Sequence, residues 1–223
     1  EAEAIAAQLT AGLAKGEPMP PLPPVQDLPT AVLEHIAFPS TQTHVYTGQP
    51  GMSRGDPDYF TLYVGNHILG GSGLVSLLME EVREKRGLSY SVSSYFLPLA
   101  ERGPFVAALS TKNEQGQSAR EVLMATIERF RTQGPTPEEL NAAIKNITGG
   151  FPLRIAGNDK IAQYLAMIGF YGLPLDYLDR FNDRISAVTA EGIRDAFQRR
   201  IDPARFATVI VGPEMTALAP PQP

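Results

Sequence analysis

The sequence predicts an α+β fold, a largely antiparallel sheet with helices packed on one face. Three observations carry that expectation. The apolar period switches repeatedly between two and about four residues. The strand-like and helix-like segments come in runs rather than in strict alternation, which does not suit a parallel βαβ sheet. Thr136-Pro137-Glu138-Glu139 also reads as a helix start, with a capping box and proline at the first helical position.

Taken in order, residues 3 to 14 place Ile5, Leu9 and Leu13 at helical spacing, and Gly16 and Pro18 stop that short helix. Pro18, Pro20, Pro21, Pro23 and Pro24 then make a stretch poor in backbone donors, which reads as an extended spacer. The chain therefore divides into a linker helix and spacer over 1–27, a domain over 28–212, and a Pro-rich tail over 213–223. It begins Glu1-Ala2-Glu3-Ala4 with neither an initiator methionine nor a signal-like apolar stretch. An excised part of something longer is the favoured reading, ahead of a processed form.

Within the domain, Ala31 to Phe38 and Thr41 to Thr47 read as two strands broken at Pro39-Ser40, expected to pair antiparallel. Asp56-Pro57 is read as a helix start, with Phe60, Val64 and Ile68 behind it and an end at Gly70-Gly71. A second helix over Leu74 to Lys85 is expected to turn Leu74, Leu77, Leu78 and Val82 inward and Glu80, Glu84 and Lys85 to water. Gly87 is its stop. Tyr90 to Leu99 and Pro104 to Thr111 follow as antiparallel strands joined by a short connection. The rest is mainly helical, with stripes at Leu123, Ile127 and Phe130, at Ile161, Leu165 and Ile168, at Leu178, Phe181 and Ile185, and at Ile193 and Phe197. A last strand is expected at Ala204 to Val211.

Composition narrows the function classes. With 223 residues and 43% apolar content the chain can build one ordinary core, and it has no apolar run long enough for a membrane span. Its net charge of −5, with both signs interspersed, argues against nucleic acid as a partner. The absence of cysteine excludes disulfides, thiolate metal sites and a cysteine nucleophile.

Few residues present themselves for chemistry. Val32-Leu33-Glu34-His35 ends like the zinc motif H-x-x-E-H, but Ala31 stands where the first histidine is needed and the segment reads as a strand. His44 and His67 have no partner at ligand spacing, so no metal site is assigned. Glu80 and Glu81 point about 100° apart on a helix and are read as a solvated face, with Lys85 four residues from Glu81. Gly70-Gly71-Ser72-Gly73 fits neither phosphate-loop pattern and is taken as a tight corner between helices. Ser72 has no base beside it in sequence.

Arg83 and Tyr90 stand out as a pair. Arg83 falls in the last turn of the second helix and Tyr90 at the start of a strand, so Gly87 can bring both to one end of the sheet. A guanidinium donates to peptide carbonyls, and a phenol can donate to an oxyanion. A helix-capping arginine and a core tyrosine explain the same two residues equally well at this level.

The run LGGSGLVSLLMEEVREKRGLSYSV, Leu69 to Val92, with DPDYFTLYVGNHIL before it and TPEELNAAIKNI after it, resembles the pitrilysin-type zinc metallopeptidases, which include insulysin and the mitochondrial processing peptidase. The likeness extends from about Leu28 to Gly212 and implies one of two similar halves that enclose a chamber for extended peptides. In that family one half carries H-x-x-E-H, and the other carries an arginine and a tyrosine seven residues apart that help bind substrate. The resemblance therefore implies substrate-binding roles for Arg83 and Tyr90, no catalytic residue and no metal ligand in this chain, and zinc in a partner half or catalytic subunit. The implied assembly is a homo- or heterodimer, or a two-half chain, whose zinc half takes the peptide by strand addition. Alone the chain is expected to be inactive. A scaffold subunit of the same fold is the alternative, an unrecognised carboxylate hydrolase a more distant one, and a periplasmic or exported location is favoured over the cytoplasm.

Overall fold

The computed structural model describes residues 1–17 and 19–213. The tail expected from residue 213 lies outside the described residues except for Pro213. Five strands form one sheet: β1 Val32–Ala37, β2 Gln42–Pro50, β3 Ser91–Phe96, β4 Pro104–Lys112 and β5 Ala207–Gly212. Their spatial order is β1-β5-β2-β4-β3, with every neighbouring pair antiparallel except β1 and β5.

Side-chain alternation decides which face the helices cover. Thr43, Val45 and Thr47 of β2, Phe105, Ala107 and Leu109 of β4, Val92 and Ser94 of β3, and Thr208 and Ile210 of β5 are all buried on one face. The residues between them, such as Tyr46 and Tyr95, are half-buried or exposed, so the opposite face is left open. Thr47 and Thr208 satisfy each other inside the covered face, their hydroxyls 2.7 Å apart.

An inner helical layer lies on that face. It consists of α2 Tyr59–Asn66, a π-helical continuation His67–Gly71, a second π-helical stretch Met79–Glu84, α3 Gly116–Gln133 and α7 Ala190–Arg200. Leu62, Leu69, Leu78, Val82, Leu123, Ile127, Phe130, Ile193 and Phe197 are buried there. Each such leucine or phenylalanine contributes about 2–3 kcal/mol relative to exposure. An outer layer of α4 Pro137–Arg154 and α6 Phe181–Ser186 is joined to α2 by aromatic rings. Phe151 stacks on Phe181 at 4.3 Å, and Phe181 meets Phe60 and Tyr63 edge-on. The capping box at Thr136 and Glu139 forms as expected.

Several expectations need correction. β1 and β2 are not a hairpin, because β5 from the far end of the domain pairs between them. Skipping one strand requires about 10 Å, and the four linking residues reach about 13 Å, so the short connection permits it. The Asn113 side chain holds the link by donating to the Ser40 carbonyl and accepting from the Thr43 hydroxyl, both at 3.0 Å. Asp56 does not cap a helix. It accepts from the Asp58 amide at 2.9 Å and pairs with Arg200, and α2 starts only at Tyr59. The expected helix from Leu74 is broken: Gly73–Val75 is a 3₁₀ turn, Ser76 is extended, and the Ser76 hydroxyl caps the following helix through the Met79 amide. Leu74 is consequently 66% exposed rather than part of the core.

The stripe on α5 Asn158–Tyr171 buries Ile168 while Ile161 and Leu165 remain outside, and α1 Ala2–Thr10 buries nothing. β5 begins three residues later than expected, after a 3₁₀ turn Pro203–Arg205 whose start is capped by Asp202. Among the described residues no helix is long and apolar enough to cross a membrane.

Candidate functional site

The corner that carries Arg83 and Tyr90 is fixed to the sheet from two sides. On the first, Asn66 donates to the Ser94 carbonyl at 3.0 Å and its side-chain oxygen accepts from the Ser94 hydroxyl at 2.7 Å, which locks α2 to β3 in the core. Gly70 then packs so tightly on β3 that a Cβ there would meet the Ser94 amide nitrogen at 2.5 Å. On the second, the Met79–Glu84 helix turns Leu78 and Val82 inward and carries Arg83 outward in its last turn. The Gly87 and Leu88 amides fold back onto the Arg83 and Val82 carbonyls at 2.8 and 2.9 Å. Gly87 can do this because its φ is +62°, a conformation side chains resist.

Beyond the turn the backbone is held at every step. The Thr111 hydroxyl donates to the Leu88 carbonyl. The buried Ser89 hydroxyl lies 2.8 Å from the Ser91 carbonyl and 2.5 Å from the Ser110 carbonyl, and it accepts the Ser91 amide at 3.1 Å. Tyr90 sits between these anchors, directly before β3, with 84% of its surface exposed. That exposure removes the core-tyrosine alternative. Arg83 has only Glu84, at 3.7 Å, as an ion partner among the described residues, and its side chain is about one-third exposed. The guanidinium and the phenol thus stand on either side of the Gly87 turn, and among the described residues neither makes a side-chain hydrogen bond.

Glu81 corrects the expectation of a solvated face. It is 5% exposed and receives Lys85 at 2.9 Å, Arg86 at 2.6 Å and Arg129 of α3 at 3.0 Å. The Lys85 hydrogen bond, joined by those of Arg86 and Arg129, outweighs the opposing effect of burial and holds the carboxyl at a pKa of about 2. Arg86 also donates to the Glu81 carbonyl at 2.7 Å, which ties the end of the helix to the same residue. Lys85 was visible at four-residue spacing, but the approach of Arg129 belongs to tertiary packing.

Beside the corner a cavity of about 310 Å³ is lined by His67, Ile68, Val75, Leu77, Glu80 and Asn146, among others. Burial first, and then the Arg154 charge, lower the His67 pKa against the opposing effect of a hydrogen bond to Asn146, so the imidazole is neutral at neutral pH. His44 meets the Ser110 hydroxyl at 2.9 Å, and His35 lies on exposed β1. Among the described residues no three His, Cys, Asp or Glu side chains gather as a metal site.

The sequence matches the family described as "Peptidase M16 inactive domain" over residues 1–147. It is 29% identical over 181 residues to an uncharacterized zinc protease of Streptomyces coelicolor, covering 81% of this chain and 39% of that protein. A second relative, the "Non-peptidase homolog YmxG" of Helicobacter pylori, is 31% identical over 171 residues, 73% of this chain and 38% of the relative. The chain therefore spans about two-fifths of the length of these curated relatives. Among solved structures, the peptidase M16 inactive domain from Pseudomonas fluorescens superposes with a TM-score of 0.90 at 38% identity, over 96% of this chain and 51% of that one. The family match, the five-stranded sheet with helices on one face and this structural likeness agree, and the chain belongs to the peptidase M16 inactive domain family, the non-catalytic half of a zinc-protease-like fold.

Proposed function

We propose that this domain is the substrate-binding wall of a zinc metallopeptidase that cleaves extended peptides, and that it completes the active site of a zinc-bearing half or subunit. The observation that carries this reading is the exposed Tyr90 phenol on an immobilised backbone, across a glycine turn from Arg83. Arg83 holds peptide carbonyls with its fork of donors, and Tyr90 donates to the oxygen that gains charge as the peptide carbonyl is attacked. Zinc, held by the other half, supplies the activation of water. Among the described residues no His, Cys, Asp or Glu cluster could hold a zinc ion, and the part this reading gives the domain is to bind and orient the peptide. An extracytoplasmic location belongs to the same proposal, and cell fractionation tests it.

The test mixes this domain with its zinc-bearing half and measures peptide cleavage. Arg83→Ala is expected to raise KM. Tyr90→Phe is expected to lower kcat by about tenfold or more with little change in KM. Full activity of the double variant would remove both assignments.

A second reading is a scaffold subunit without peptidase function, and the non-peptidase name of the Helicobacter pylori relative favours it. The assembled protein then binds no peptide, whereas the first reading requires binding that depends on Arg83.

A further inference from the structure

A second cluster, formed by α2, α4 and α5, has the composition of a receptor for a negatively charged group. Its visible part is a shallow cavity of about 390 Å³ lined by Arg154, Lys160, Gln163, Tyr164 and Met167. Two of these side chains are cations, one is an amide and one a phenol, so every polar group around the cavity can donate a hydrogen bond and none is a carboxylate. That composition runs against the chain as a whole, which carries 24 acidic and 19 basic residues.

The wall behind the cavity is built in the same sense. Arg154 donates to the Tyr63 hydroxyl at 2.6 Å. Tyr63 stacks on Tyr59, whose hydroxyl receives Arg54 at 2.9 Å, and the Arg54 guanidinium also faces the Tyr171 ring at 5.4 Å. The charges of Arg154 and, more weakly, Arg54 favour the ionised form of the Tyr164 hydroxyl. Burial raises the Tyr164 pKa despite them, so the phenol keeps its proton. Among the described residues neither Arg54 nor Arg154 has a carboxylate within ion-pair distance, and the Lys160 ammonium is 4.0 Å from Asp159.

The larger cavity at the end of β2, about 510 Å³, shows the contrast. It too is rich in arginine, but Arg102 is neutralised by Asp27 at 2.8 Å, Arg199 by Asp58 at 3.0 Å and Arg205 by Asp202 at 3.3 Å. Arginines at the α2–α4–α5 cluster are instead held by phenols and rings, which position a guanidinium without cancelling its charge.

We infer that the cavity lined by Arg154, Lys160, Gln163 and Tyr164 binds a small oxyanion of carboxylate or phosphate type, with Arg154 as the bidentate donor and Lys160 as the second charge. The anion is either free in solution or a carboxylate carried on a peptide. The inference uses none of the groups assigned to the Arg83 and Tyr90 corner and stands apart from the peptidase reading.

Calorimetry on the 223-residue chain at low ionic strength, with three probes, tests it: inorganic phosphate, a short extended peptide with one glutamate, and the same peptide with glutamine instead. Phosphate binding without a difference between the peptides identifies a free-anion site. Tighter binding of the glutamate peptide identifies a peptide-borne carboxylate. In either case Arg154→Gln with Lys160→Gln weakens binding about tenfold or more, and Gln163→Glu, which places a carboxylate in the cavity, abolishes it. These side chains are at the surface, so the variants keep the wild-type melting temperature. The inference is overturned if neither phosphate nor the glutamate peptide binds, or if binding survives all three substitutions. Loss of peptide cleavage by an assembled Tyr90→Phe enzyme bears only on the other site.

Discussion

Glu81 and Arg129 are 48 positions apart in the chain and meet at 3.0 Å, in a cluster where one buried carboxylate serves three cations. Through that carboxylate the helix carrying Arg83 is joined both to its own end, by Lys85 and Arg86, and to α3.

The Glu81 carboxyl titrates at about 2 in the folded chain against an ordinary value of 4.5. The depressed value means that its stabilisation is complete above about pH 5 and is lost as pH falls from 4.5 toward 2. Glu81→Gln should cost about 2 kcal/mol at pH 7 and flatten the acid limb of stability, because half-exposed partners moderate the full linkage value. Urea unfolding of both proteins between pH 3 and 7 measures the difference, and parallel acid limbs would refute the linkage.

Gly70→Ala should be among the most damaging single-methyl additions in the chain. The new Cβ would meet the Ser94 backbone, which cannot move without disturbing the Asn66 hydrogen bonds. A loss of about 2–3 kcal/mol is expected, read as a shift in the denaturant midpoint. Gly149→Ala in α4, where a Cβ meets nothing, should be neutral or stabilising.

Tyr90→Ala is expected to leave stability within about 0.5 kcal/mol of wild type, since the side chain is exposed and the backbone is held by Ser89 and Thr111. Ser89→Ala should do the reverse and destabilise by about 1–2 kcal/mol, because it removes the buried hydroxyl that bridges the Ser91 and Ser110 carbonyls. Thermal melts of the two variants separate the exposed group from the one that holds it.

His67 should titrate below 6.5, because its burial and the Arg154 charge both disfavour the imidazolium. Between 6.5 and its folded value the unfolded chain binds more protons, so His67 lowers stability as pH falls through that window. Proton NMR of the imidazole measures the pKa, and Arg154→Gln should move it upward.

Much of this architecture was legible because it depends on local chemistry. The Thr136–Glu139 box, the Gly87 stop and the existence of the β4 strand each follow from a few adjacent residues. The glycine turn between Arg83 and Tyr90 was legible for the same reason. Pairings across long separations were not. Nothing near Val32 marks Ala207 as its partner, and nothing near Glu81 marks Arg129. Ser76 was an intermediate case: it is a good cap, but the leucines at 74, 77 and 78 suggested an unbroken helix across it. Asp56 misled in the opposite direction, since Arg200 of α7 engages the carboxylate that local rules assign to a helix end.

The position of β5 also bears on how the chain is made. The strand furthest along the described chain lies between β1 and β2, so both have bare edges until synthesis has passed Gly212. A nascent chain can assemble β2, β4 and β3, but β1 stays unattached on the ribosome until its late neighbour arrives. Truncation just before Ala207 would therefore open the middle of the sheet and create two sticky margins, the state most open to self-association and to proteolysis.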